Sequence, residues 1–204
     1  MTRILIDRVI DILFDMITSP NDITLSAANG MIGLNTGNGD IDSGGDIDLT
    51  AQAIDVGDLT SDGSVTANAT TGDASFGTVD AAIDITVSAS GTPTLTNAIS
   101  GGDTSITGAS VALNNGSIGE NLTLNATAGH VDANGTVTAG GGIDFDATGN
   151  IGFGSLDAAS AFTIDAGGSI DFISASAASG GIIMNAGGDI AGTALTTNAI
   201  GGVN

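Results

Sequence analysis

From residue 21 onward, apolar side chains fall at every second position in short runs, and Gly, Asn, Asp and Ser fill the intervals. One five-residue pattern recurs: apolar, any, apolar, any, Ala. It reads ITLSA from Ile23, IDLTA from Ile47, VTANA from Val65, ITVSA from Ile85 and ITGAS from Ile106. It continues as LTLNA from Leu122, IDFDA from Ile143, FTIDA from Phe162 and IIMNA from Ile182. The first copy starts at residue 23 and the ninth at 182, a mean spacing near 20 residues. Ala closes every copy except the one at Ile106, which ends on Ser110.

Alternation with period two predicts a strand in each copy, with positions one, three and five on one side and two and four on the other. A second apolar run starts eight residues later at Ile151, Ile170 and Ile190, and Leu156 and Leu195 mark a third. A unit of this length cannot bury its apolar side alone, but stacked copies can, each position lying over its equivalent. The predicted fold is all-β: a parallel β-helix of about nine coils over residues 21–204.

Residues 1–20 carry a different period. Leu5, Val9, Ile12 and Met16 form one helical stripe, and Ile6, Ile10, Leu13 and Ile17 a second beside it. Arg3, Asp7, Arg8, Asp11 and Asp15 fall opposite, and Ser19-Pro20 supplies a stop. The pattern predicts an amphipathic capping helix over residues 1–20, lying across the first coil at Ile23 and Leu25. The rod would then be closed at this end and open near residue 204. Four charges within the apolar stretch, and no small-residue cleavage site after it, argue against a signal peptide.

Composition narrows the chemistry. The chain has no Cys, Trp or Tyr and six Phe, so the core must be mainly aliphatic and thiolate sites are excluded. At 41% hydrophobic residues it is too apolar to stay disordered. The formal net charge is −21; Arg3 and Arg8 are the only basic residues, while twenty acidic ones follow Pro20. Without a cationic footprint, nucleic acid is excluded as a partner, and anionic membrane surfaces are disfavoured. No run of 18 strongly apolar residues predicts membrane insertion.

GGDIDLTA from Gly44, AGGGIDFDATGNIGFGSLDAASAFTIDAGGSIDF from Ala139 and NAGGDIAGTAL from Asn185 resemble the repeats of filamentous haemagglutinin-type adhesins, large bacterial surface proteins of the two-partner-secretion and autotransporter kind. The resemblance covers roughly residues 21–204. It implies a right-handed β-helix, export through the outer membrane to the cell surface or medium, and a role in surface attachment.

Parallel β-helices also carry polysaccharide lyases and hydrolases. A lyase needs a basic residue, and the repeat region has no Lys or Arg. A hydrolase needs paired carboxylates. Asp144, Asp146 and Asp165 form the densest acidic group the repeat predicts, with Asp165 directly above or below Asp146. A solvated face is the first reading of that group, a loosely held Ca²⁺ the second and catalysis the last. GNGDIDSGGDID at Gly37–Asp48 lacks the nine-residue period of calcium-binding nonapeptides. His130 reads as a turn residue. Sequons at Asn68, Asn115, Asn121, Asn125 and Asn134 read as chance in an Asn- and Thr-rich chain. Thr24, Thr66, Thr86, Thr107, Thr123 and Thr163 form an outward column, broken by Asp48 and Asp144, that admits ice or carbohydrate binding as a minor alternative.

The expected function is therefore a non-enzymatic structural or adhesive solenoid, a stiff stalk or interaction surface, with no cofactor. Its partners would be a cell-surface receptor, or other protein chains through the solenoid ends. The alternative is a self-assembling, fibre-forming solenoid, natural or engineered, in which helix and coil ends mediate assembly.

Overall fold

The structure, a computed structural model, describes residues 4–8, 10–35 and 38–197. The described residues hold no helix; they form one parallel β-solenoid of ten turns. Each turn runs along three faces. The first face carries Ile4–Arg8, the opening parts of Ile23–Leu34 and Ile47–Asp55, then Val65–Ala69, Ile85–Ala89, Thr104–Gly108, Leu122–Ala126, Ile143–Ala147, Phe162–Ala166 and Ile182–Ala186. From the fourth turn on, one long strand such as Ile151–Ala158 bends across the second and third faces. In the first three turns the third face is a short separate strand: Met16–Ser19, Asp40–Ser43 and Leu59–Ser61. Every strand pairs in parallel with its equivalents one turn away.

The alternation sets what lies inside. Leu124 and Ile164 are fully buried while their neighbours Thr123 and Thr163 stay partly exposed. Position one stacks Ile23, Ile47, Val65 and Ile85; position five stacks Ala27, Ala51, Ala69 and Ala89 at the bend, where a larger side chain would crowd the turn. Four of the six Phe gather in the eighth and ninth turns. Phe153 stacks on Phe172 with ring centroids 5.0 Å apart and meets Phe145 edge-on at 6.4 Å. Phe162 completes the group at 6.3 Å from Phe153. Such geometries add to the area each ring removes from water.

Two sequence expectations are corrected. The capping helix over residues 1–20 is instead the first turn of the solenoid, in strands Ile4–Arg8, Ile12–Phe14 and Met16–Ser19. Ile4 pairs with Ile23, Ile6 with Leu25, Ile12 with Ile32 and Ile17 with Ile41. The segment is apolar at so many positions that it satisfies both a helical period and a period of two. The neighbouring coil edge decides between them, because it offers a row of backbone partners that a helix cannot use. β-Branched Ile at most inward positions favours the same outcome. Helical-stripe members Leu5, Leu13 and Met16 are accordingly more than half exposed. Val9, from the same stripe, lies outside the described residues. At this end Ile6, Ile12, Phe14 and Ile17 line a hollow of about 250 Å³. The predicted open end near residue 204 lies outside the described residues.

The second correction is one of register. The fifth repeat, which lies in the sixth turn, begins at Thr104, not Ile106: Thr104 pairs with Ile85 and Leu122, and Ile106 with Val87 and Leu124. Thr104 enters the core because Ser100, across the bend, shares a buried hydrogen bond with its hydroxyl at 2.9 Å. Gly108 takes the fifth position, where a Cβ would meet Pro93 Cδ at 2.2 Å. The outward column therefore has Ser105 where Thr107 was expected, and Thr107 moves to the fourth position.

Candidate interaction surface

Turn corners and flat faces use their polar residues differently. Where the third face bends into the first, Asp22, Asp46, Ser64, Asp84, Asp103 and Asn121 each stand directly before a first-face strand. From Asp46 to Asn121, the backbone N–H of the corner residue donates to the side chain one turn earlier. Ser64 N–H reaches Asp46 Oδ1 at 2.8 Å, Asp103 N–H reaches Asp84 Oδ1 at 2.8 Å and Asn121 N–H reaches Asp103 Oδ1 at 2.9 Å. At a bend the backbone leaves ladder geometry, and a short side-chain acceptor takes over the N–H. From Gly142 on, this corner carries Gly142, Ala161 and Gly181, while the bend between first and second faces holds Ser110, His130, Asn150 and Ser169 in the same arrangement. Inside the rod, Ser43 and Ser61 are buried and donate to the Asn21 and Gly45 carbonyls at 2.8 and 2.7 Å.

His130 is thus a corner residue, as its sequence context suggested. Its Nδ1 accepts the Asn150 N–H at 2.9 Å, so the imidazole acts as one rung of the ladder. Two sequon asparagines have similar duties. Asn115 donates to Asn97 Oδ1 at 3.1 Å, and Asn121 accepts the Gly142 N–H at 2.8 Å. Asn68 lies on the first face and accepts from Ser88 at 3.0 Å, Asn125 is partly buried on the same face, and Asn134 is exposed on the second. The signal for the corner ladder was legible but missed: an Asp, Asn or Ser recurs one residue before the repeat.

The first face presents the acidic group. Asp146 and Asp165 are direct register partners, and Asp165 is followed by Asn185, whose Nδ2 donates to Asp165 Oδ1 at 2.5 Å. Asp144 sits two residues from Asp146, between Thr123 and Thr163. Partial burial pushes the Asp144 carboxyl above its usual range, and the charges of Asp165 and Asp146 add to that. Asp48 is raised in the same way, by burial first and then by Asp46 and Asp22. Among the described residues, no three His, Cys, Asp or Glu are grouped to hold a metal ion. Asp48 and Asp144 interrupt the Thr column, so the hydroxyl array is not continuous along the rod.

The second face differs again. Its outward column reads Thr94, Ala112, Asp132, Gly152, Asp171 and Ala191 in register, and the next outward positions include Asn134, Gly154 and Ile173. Gly152 and Gly154 give the eighth turn no side chain here, so it is sunk between the seventh and ninth. A trough of about 340 Å³ results, floored by Gly152, Phe153 and Gly154 and walled by Asn134, Asp171 and Ile173.

Compared with protein-family models, with curated proteins and with solved structures, the chain matches none. No helix of the described residues is long and apolar enough to cross a membrane.

Proposed function

We propose that this chain is a non-enzymatic segment of a bacterial surface or secreted adhesin, working outside the cell as a stiff spacer with lateral interaction surfaces. The observation that carries the reading is the unbroken stack: ten turns joined in one parallel ladder. Adjacent strands lie about 4.8 Å apart, so ten turns make a rod of roughly 45 Å. Every rung is hydrogen-bonded to the next, and such a rod resists bending because bending must stretch whole rows of bonds. Exposed carboxylates on every side favour solubility through mutual repulsion. The repeats' resemblance to filamentous haemagglutinin-type adhesins supports the same reading.

The test is to display the chain on a bacterial surface and measure attachment to cultured host cells and matrix proteins, with small-angle scattering of the isolated chain alongside. Rod-like scattering with a gain in attachment is expected. Compact scattering, or turnover of a polysaccharide panel, would overturn the reading.

A second reading, end-to-end assembly, has its own observation. Inward-pointing Ile4, Ile6, Phe14 and Ile17 of the first described turn are only partly covered, as is Met184 of the tenth, where Ile190 and Leu195 are exposed. Light scattering over a hundredfold dilution tests it: a constant monomer mass removes it, and a falling mass on dilution favours it over the spacer.

A further inference from the structure

The first and tenth turns share features that the turns between them lack. Outward position two of the first face is one continuous column, from Leu5 in the first turn to Ile183 in the tenth. In the eight turns between, from Thr24 to Thr163, it holds only Thr, Ser or Asp. Leu5 and Ile183 are its only apolar members, and they are 54% and 46% exposed.

The two turns also match in shape. Inward residues mark the three faces of the first turn at Ile4, Ile12 and Ile17, spacings of eight and five. The tenth turn has the same spacings at Ile182, Ile190 and Leu195. The second turn, at Ile23, Ile32 and Ile41, has nine and nine. One offset of 178 positions therefore sets Ile4 on Ile182, Ile12 on Ile190 and Ile17 on Leu195, and it also sets Phe14 on Gly192 and Asp11 on Asp189.

What the two edges leave open is complementary. At this corner the N–H donates to the turn before: Met31 N–H to Asp11 Oδ1 at 2.9 Å near one end, Asp189 N–H to Ser169 Oγ at 3.2 Å at the other. The Asp11 backbone N–H and the Asp189 carboxylate are left without partners among the described residues. One edge thus offers a donor and the other its acceptor. Gly192 gives a second fit. The Phe172 ring leans into the space its Cβ would need, so a Phe14 set over Gly192 meets an aromatic face and no intervening side chain. Every rung is parallel, so only the amino edge of one copy on the carboxyl edge of another continues the ladder.

We infer that the partner of the tenth turn is the first turn of a second copy, docked head to tail in continuous register, with the Asp11 N–H donating to Asp189 across the joint. This rests on the end-to-end reading above and adds its polarity and register. Such a joint is heterologous and does not close, so copies add into filaments.

The chain has no Cys, so single cysteines report the joint. Leu5→Cys and Ile183→Cys chains, mixed and mildly oxidised, should give a disulfide-linked dimer, because adjacent rungs stand about 4.8 Å apart, within disulfide reach. Neither variant alone should do so, nor should Leu5→Cys mixed with Asn185→Cys, which is two residues out of register. Asp189→Ala should weaken association at least threefold in dilution light scattering and leave the unfolding midpoint unchanged. A chain at −21 should otherwise associate better on losing a negative charge. Dimers of Leu5→Cys alone, equal yield with Asn185→Cys, or association unaffected by Asp189→Ala would each overturn the inference. A mass that falls on dilution without the mixed disulfide removes this register and leaves end-to-end assembly standing. A constant monomer mass removes both.

Discussion

Asp103 and Asp132 lie one turn apart and do opposite things. Asp103, at a corner, accepts the Asn121 backbone N–H at 2.9 Å and its side-chain amide at 3.0 Å. Asp132, on a flat face, leans its carboxylate over a glycine, and that carboxylate makes no hydrogen bond among the described residues. On a face the ladder already satisfies each backbone N–H, so the carboxylate is left for solvent or a partner. At a corner the ladder is interrupted, and the carboxylate becomes part of the scaffold. Much of the acidity therefore serves the fold, and the remainder is surface.

The harshest way to break this division is to move a carboxylate to the third environment, the interior. Leu124→Asp or Ile164→Asp buries an unpaired charge and should cost several kcal/mol in denaturant unfolding. Thr123→Asp or Thr163→Asp, one residue away and outward, should change stability by about 0.5 kcal/mol. Equal effects would mean that the alternation is out of register.

A corner carboxylate should matter less than the core and more than a face. Asp103→Ala removes the acceptor of the Asn121 N–H and should cost about 1 kcal/mol. Asp103→Asn keeps an oxygen there and should restore most of it. Asp132→Asn should stay within about 0.5 kcal/mol of the parent. Chemical denaturation of the three variants in one buffer orders them, and a face variant as costly as Asp103→Ala would erase the distinction.

The smallest effect sharpens the comparison through pH. Asp144 and Asp48 have folded-state carboxyls raised above the usual 3.8. Between the unfolded and folded titration points the native state holds more protons, so stability falls as pH rises through that window. At neutral pH both are ionised at a small cost. Asp144→Asn should therefore unfold slightly later than the parent at pH 7, and the gap should close as pH falls towards 4. A variant less stable at pH 7 would show that Asp144 has a favourable partner.

The amino-terminal turn shows how legibility depends on context. Residues 4–19 contain enough Ile and Leu to read as a helix or as strands. The spacing from Ile4 to Ile23 matches the repeat, yet the helical stripes were the more visible signal. Thr104 misled for the opposite reason, because a polar residue at position one looks like a break until Ser100 is seen across the bend. The corner ladder needed no structure to be noticed as a recurring Asp, Asn or Ser, only to be understood. The Gly152 trough could not be found in sequence. Asn134 and Asp171, which wall it, are separated by 37 positions and come to one trough only through the stacking of three turns.

By itself the sequence determined the all-β class, the repeat, the inward and outward sides of nearly every coil, and the absence of basic residues beyond the first turn. Those follow from local alternation and composition, which each residue carries wherever it sits. Only the tertiary structure decided that the first segment is a tenth strand-built turn, which polar side chain may enter the core, and which carboxylates support the backbone rather than face solvent. These depend on what lies one turn above and below, a distance of about 20 residues in sequence and about 4.8 Å in space.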